Sequence, residues 1–302
     1  MNKKFELIKN DSIEINGHKL YRLRALIDFN DVKASDLGGY IEHENNLSQM
    51  DDCWIYDNAK VFGNASVYDN ARVFGNAKVF GNACVCDNAK VFDSACVYDD
   101  AKVFDNAWIS DNAWISGNAY VADNAYVADN ARVYDRAYVC DDACVFGNAR
   151  VFDSACVYGK AKVFDDAKVY DNACVADNAV ICGNAEICGN TYVYDNAKVY
   201  GDAHIYGSAS VYGDACVFGD ANISGDAIIE KDSDYIVFKN TWSSGRYFTY
   251  TKSNKMWRVG CFYGTGDELI KKAYADSENN GKHYEVYVNL VREIENLDNE
   301  ND

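Results

Sequence analysis

Twelve cysteines, four histidines and a dense series of aspartates are the residues of this chain with chemistry to offer. Ten of the cysteines (Cys84, Cys86, Cys96, Cys140, Cys144, Cys156, Cys174, Cys182, Cys188 and Cys216) lie inside a repeated stretch, and no two cysteines stand in a Cys-x-x-Cys pair. That spacing suits neither a structural zinc site nor a disulfide framework, so reduced thiols in a cytoplasmic protein are expected. His204 is the single histidine of the repeated stretch, too few for a three-histidine zinc site. Ser66, Ser110, Ser116, Ser210 and Ser224 have no evident base beside them, and Gly264-Thr265-Gly266 is too short for a phosphate loop. No catalytic residue, metal or cofactor is therefore assigned.

The element that places these residues is a six-residue unit running from 55 to 229. Val or Ile occupies all thirty sixth positions, and Ala follows four residues after each, with Thr191 as the one exception. Ala and Val alternate with two variable positions, so they share one face of a short strand and the variable residues share the other. A Gly or Asp, usually followed by Asn, Asp or Ser, then turns the chain. Apolar spacing of two and four excludes a helix. A strand and a corner repeated in this way make a β-solenoid with a thin Ala/Val core.

The unit Ala-x-Val-x-(Gly/Asp)-Asn resembles the hexapeptide repeat of left-handed parallel β-helix proteins. That resemblance implies a triangular coil of eighteen residues, left-handed winding, and about ten coils. The residue after each Val departs from the usual pattern in being mostly Phe or Tyr (Phe62, Tyr68, Phe74, Phe80). The stretch Asp28–Asn58 resembles the entry segment of YdcK-like bacterial hexapeptide proteins, which are labelled acyltransferases. Relatives of that kind use a histidine at a subunit interface and a loop thrown out of a coil. This array offers only His204 and no inserted loop, so an acyltransferase-like enzyme with an inter-subunit site stands as the alternative.

Around the array, residues 1–50 read as an N-terminal β cap, 51–231 as the β-helix and 232–302 as a C-terminal α+β module. Phe5–Ile8, Ser12–Ile15 and Tyr21–Phe29 read as strands, with Asn16-Gly17 as a hairpin turn. Tyr235–Trp242 and Tyr247–Tyr263 read as strands, Glu268–Tyr274 as a helix broken by Asn279-Asn280-Gly281, and His283–Glu295 as a second helix. The last module resembles tail modules joined to hexapeptide arrays in phage and bacterial genomes. No apolar run is long enough for a membrane helix.

Net charge is −18, and within 55–230 there are 12 Lys/Arg against 25 Asp/Glu, which disfavours direct nucleic-acid binding. Unrolled on an eighteen-residue coil, the array has one wall almost without charge. Its two columns hold Phe104, Tyr120, Tyr138, Cys156, Tyr158, Cys174, Tyr192, Tyr194 and Tyr212, and only Lys102 and Glu230 are charged among their twenty residues. A flat Tyr-rich wall is what a second subunit or a partner protein covers, so a trimer or a dimer is expected. Beside it stand Asp69, Asp87, Asp105, Asp123, Asp141, Asp177 and Asp195, a corner ridge with Asn70, Asn88, Asn106 and Asn124 placed to stack amide on amide. The ridge suits either left-handed corner backbone or imitation of a phosphate backbone. The reading reached is a non-catalytic scaffold that captures a macromolecule by this wall or this ridge. The family resemblance adds a host-directed inhibitor carried by a phage or mobile element.

Overall fold

The Val or Ile at every sixth position from 55 to 229 faces inward with at most 1% exposure, and the Ala positions follow them. The structure is a computed structural model that describes residues 3–300. Each hexapeptide forms a two-residue rung, as at Lys60–Val61, and a corner follows. Successive rungs are dealt in turn onto three parallel sheets, so Lys60 pairs with Lys78 and Ser66 with Cys84. The result is a left-handed parallel β-helix of about eleven turns, with one small antiparallel sheet and two helices at its C-terminal end.

The corners explain the Gly/Asp alternation. All of them from Asp57 to Gly225 have φ between +52° and +80°. Only Gly enters that region freely, and Asp is among the few side chains that tolerate it. Thr191, in the inward column, carries a buried hydroxyl with no hydrogen-bond partner.

One turn more is present than the repeat predicts. Strand β3 (Leu37–Ile41) pairs in parallel with Lys60–Val61, and Leu47 bridges Val67. Those offsets are twenty residues, because Ser48–Cys53 adds two to the first coil. Trp54 turns inward here and is 1% exposed. A Cβ on Gly38 would come within 2.7 Å of Trp54 Cζ2, and one on Gly39 within 2.6 Å of Ile55 Cγ2.

Strands β1 (Phe5–Ile15) and β2 (His18–Ala25) cover the open edge of β3 as an antiparallel hairpin. The turn is Asn16-Gly17, with φ of 51° and 83°. The two strands expected at 5–8 and 12–15 are one strand with a register shift between Ile8 and Ser12. A bulge breaks the ladder locally without ending the strand. The strand expected to run to Phe29 stops at Ala25. Lys4 is 2% exposed, and its ammonium is held by the carbonyls of Met50, Asp51 and Cys53 at 3.0, 3.1 and 3.0 Å.

At the other end, Tyr235–Lys239, Tyr247–Thr251, Met256–Val259 and Phe262–Gly264 form the antiparallel sheet. The stretch 247–263, read as one aromatic run, is thus three strands. Helix α1 spans Gly266–Asp276 and α2 spans Glu278–Glu300. Asn279-Asn280-Gly281 does not break a helix; it lies in the first turn of α2. The break is Ser277, where the backbone is extended. Gly281 serves close packing there, since a Cβ would meet the Tyr274 ring at 2.3 Å.

This module closes the last coil by hydrogen bonding. The N–H groups of Cys216, Asn222, Ile228 and Glu230 would otherwise await a further coil. They reach Asp232 Oδ1 at 2.7 Å, Thr249 Oγ1 at 2.9 Å, Ser253 Oγ at 2.7 Å and Asp234 Oδ2 at 2.7 Å. An open edge is thereby removed as a template for further pairing. Among the described residues no helix is long and apolar enough to cross a membrane.

Candidate functional site

The outward surface follows two contact rules. Residues eighteen apart sit one above the other, and residues sixteen apart touch diagonally across adjacent coils. The vertical rule stacks Phe62, Phe80 and Tyr98 with centroids 5.0 Å apart, and likewise Tyr134, Phe152 and Tyr170 at 4.9 Å. The aromatic residue after each Val therefore has a packing role on its own column. The diagonal rule sets Phe104 edge-on to Tyr120 at 6.4 Å and brings Tyr68 Oη to Cys84 Sγ at 3.2 Å.

The wall singled out by its lack of charge is one continuous ten-strand sheet. Tyr120, Tyr138, Cys156, Cys174 and Tyr192 are direct neighbours on successive rungs. Tyr138, Tyr158 and Tyr192 are exposed, whereas Phe104, Tyr120, Cys156, Cys174, Tyr194 and Tyr212 are half-buried. Tyr120 stacks on Tyr138 at 5.7 Å and Tyr194 on Tyr212 at 5.1 Å. Ala122 and Ala176 are buried, each sixteen residues before a tyrosine (Tyr138 and Tyr192), the offset at which a ring leans over the coil below. Burial holds the hydroxyls of Tyr138, Tyr158 and Tyr194 above the ordinary tyrosine range, so they stay neutral donors.

The acidic ridge is also a single line. Asp69, Asp87, Asp105, Asp123, Asp141, Asp177 and Asp195 all have φ of 55–58°, with Gly159 interrupting them at 68°. Several of these carboxylates accept a backbone N–H from the corner one coil on. Asp123 takes that of Asp141 at 3.3 Å, Asp177 that of Asp195 at 3.4 Å, and Asp195 that of Gly213 at 3.2 Å. The amide ladder is present beside it, with Asn70 donating to Asn88, Asn88 to Asn106 and Asn106 to Asn124 at 3.2–3.3 Å.

Two arrangements went unseen in the sequence although the eighteen-residue offset contains them. Glu186 stands between Lys168 and His204 in one column, 2.6 Å from Lys168 Nζ and 3.5 Å from His204 Nδ1. Burial opposes its charge, but the Lys168 hydrogen bond and the His204 ring outweigh it and lower the carboxyl. Asp69, Cys86 and Asp87, and again Asp123, Cys140 and Asp141, bring possible metal-ligating atoms within 4.8 Å of one another. Asp87, Asp123 and Asp141 are already engaged by backbone N–H groups.

The C-terminal module holds a cleft of about 350 Å³ lined in part by Asn240, Arg246, Lys272, Asp276 and Tyr284. All twelve cysteines are free thiols, with Cys86 and Cys53 buried and Cys261 exposed.

No protein-family model matches the chain. A segment of 47 residues is 51% identical to a protein of Escherichia coli (strain K12) called "Uncharacterized acetyltransferase YdcK". That segment covers 15% of this chain and 14% of the other protein, so the likeness spans a small part of each. The uninterrupted six-residue unit, its inward Val column and this local similarity together describe a hexapeptide-repeat β-helix.

Proposed function

We propose that this protein is a non-catalytic binding scaffold whose flat tyrosine wall docks against a macromolecular surface, first of all further copies of the same chain. One observation carries the reading: two straight columns of twenty residues hold only two charges, while the array around them is strongly acidic. Tyr138, Tyr158 and Tyr192 offer exposed rings with polar tips, the side chains in which interface energy concentrates. The ridge is the weaker candidate surface, because its carboxylates already serve the corners. A trimer is the arrangement the family resemblance favours, and a dimer is next. A host protein is the other occupant of the same wall. Light scattering at micromolar concentration tests the first occupant, and a monomer of 33.7 kDa sinks it. Capture of a defined protein from bacterial lysate, lost on Tyr138→Arg, then tests the second.

A second reading rests on the Glu186–His204 contact. A histidine oriented by a carboxylate is the base an acyl transfer needs, and the E. coli protein carries the name of an acetyltransferase. Release of free coenzyme A from acetyl-coenzyme A in the presence of an amine, abolished by His204→Ala, supports it. Equal release by both proteins removes it.

A further inference from the structure

Of the ten outward cysteines, Cys84 has surroundings unlike the others. The Tyr68 hydroxyl lies 3.2 Å from its Sγ, on the diagonal from the coil below. Ser66, its rung neighbour below, also offers a hydroxyl, and the Cys86 thiol two residues on hydrogen-bonds to it. Lys102 is its rung neighbour above, with Nζ held 3.2 Å from Tyr120 Oη. A thiolate at Cys84 thus meets three hydrogen-bond donors and a cation. Cys84 is half-buried, whereas Cys86 is 8% exposed and its thiol lies 3.3 Å from Asp87 Oδ2.

We propose that Cys84 and Cys86 are a redox-active dithiol, with Cys84 attacking and Cys86 resolving, that reduces small organic disulfides. The thiol balance agrees with this geometry. Cys84 is lowered to about 6, first by the Cys86 hydrogen bond, against the opposing effect of burial. Cys86 is pushed up, first by donating to Cys84 and then by burial. Elsewhere on the array, burial pushes Cys96, Cys144, Cys182 and Cys188 up. A thiolate is the attacking species, and the accessible thiol of lower pKa is the one that reacts first.

The step balances without a further reagent. Cys84 thiolate attacks one sulfur of R–S–S–R, forms Cys84–S–S–R and expels R–S⁻. Cys86 then loses its proton, with Asp87 placed to receive it, and attacks Cys84 Sγ. The Cys84–SR bond breaks, a Cys84–Cys86 disulfide forms, and the second R–S⁻ leaves and takes up that proton. The disulfide gains two electrons and the dithiol loses two. Same-face residues two apart on a strand lie about 6.6–6.8 Å apart, at the upper end of the roughly 4.4–6.8 Å that a disulfide spans. The bridge would close under strain, so attack by a small thiol would reopen it more readily than a permanent staple. The pair lies below Phe104, at the N-terminal margin of the tyrosine wall, so the inference does not rest on what covers that wall.

The test uses the full chain, reduced, with cystamine at pH 6, acid quenching, thiol alkylation and peptide mass mapping. Besides Cys86, the charged and titratable groups around Cys84 are Tyr68 and Asp69 below, Asp87 beside it, and Lys102, Asp105 and Tyr120 above. A thiol of pKa 6 is about 500-fold more ionised at pH 6 than one of pKa 9, and its weaker nucleophilicity takes back about 20-fold. Cys84 should therefore be modified roughly 20-fold faster than Cys96 in the same molecule. The closed Cys84–Cys86 bridge should be the main product, and Cys86→Ser should stop at the cystamine adduct on Cys84. Reaction of Cys84 within about threefold of Cys96 overturns the proposal. So does fast modification of Cys84 in the parent chain with no bridge formed.

Discussion

Asp141 and Gly159 hold the same corner of successive coils, and the Asp141 carboxylate accepts the Gly159 backbone N–H at 3.0 Å. The same bond to a Gly recurs at Asp57–Gly75, Asp129–Gly147 and Asp165–Gly183, each at 3.0 Å. Where Asp follows Asp the distance lengthens, to 3.3 Å at Asp123–Asp141 and 3.4 Å at Asp153–Asp171. Asp therefore does two things at a corner: it accepts left-handed backbone and it ties its coil to the next.

Asp141→Ala should remove both contributions. A left-handed alanine costs about 1–2 kcal/mol and a lost hydrogen bond about 1 kcal/mol. Asp141→Asn keeps an acceptor and a residue that tolerates the conformation, so it should stay within about 0.5 kcal/mol of the parent. Chemical denaturation of both variants decides the matter. Equal stability of the two would assign the corner carboxylate no structural role.

Thr191 is the one residue that breaks the inward Ala column, and its hydroxyl is buried without a partner. Burying such a group costs about 1–3 kcal/mol, which the lost methyl contact only partly offsets. Thr191→Ala is expected to raise stability by about 1 kcal/mol. A lower melting temperature for the variant would mean that the hydroxyl is solvated or bonded after all.

Val145 is 0% exposed in the middle of the stack. Val145→Asp would place an unpaired carboxylate among Ala and Val side chains and should cost several kcal/mol, about 3–5. Because each coil touches only its neighbours, unfolding should begin near that coil and show first in hydrogen exchange of 127–163. A melting curve matching the parent's would refute the inward placement.

Tyr138→Arg with Tyr192→Arg places two charges on the wall without touching the inward column. Both tyrosines are exposed, so the fold should survive with a change within about 0.5 kcal/mol. If the wall joins copies of the chain, scattering mass should fall from a multiple of 33.7 kDa to that value. A mass unaffected by the two charges would move the interface elsewhere.

The inward half of the fold was legible because its period is rigid. Val at every sixth position can satisfy only one closed arrangement, and all thirty such sites are inward. The columns of the wall were legible for the same reason, since eighteen residues make one turn. Glu186 and His204 differ by that number, so the same offset places them side by side. The ends were less readable. Asn279-Asn280-Gly281 has the composition of a breaker, yet Gly281 is demanded by the Tyr274 ring, a contact local propensity does not register. Leu37–Ile41 lacks the repeat but still joins the stack, because Gly38 admits Trp54 and Gly39 admits Ile55.

That Trp54 contact has a consequence for how the chain winds. A slip of six residues returns every Val to an inward place, so the core itself is blind to phase and cannot tell one wall from the next. Trp54 against Gly38 occurs once and fits one phase alone. It starts the spiral as a keyed thread starts a screw, and each later coil inherits its phase from the coil beneath. Assembly from the N-terminal end, in the order in which a ribosome releases the chain, would then wind all later walls into line.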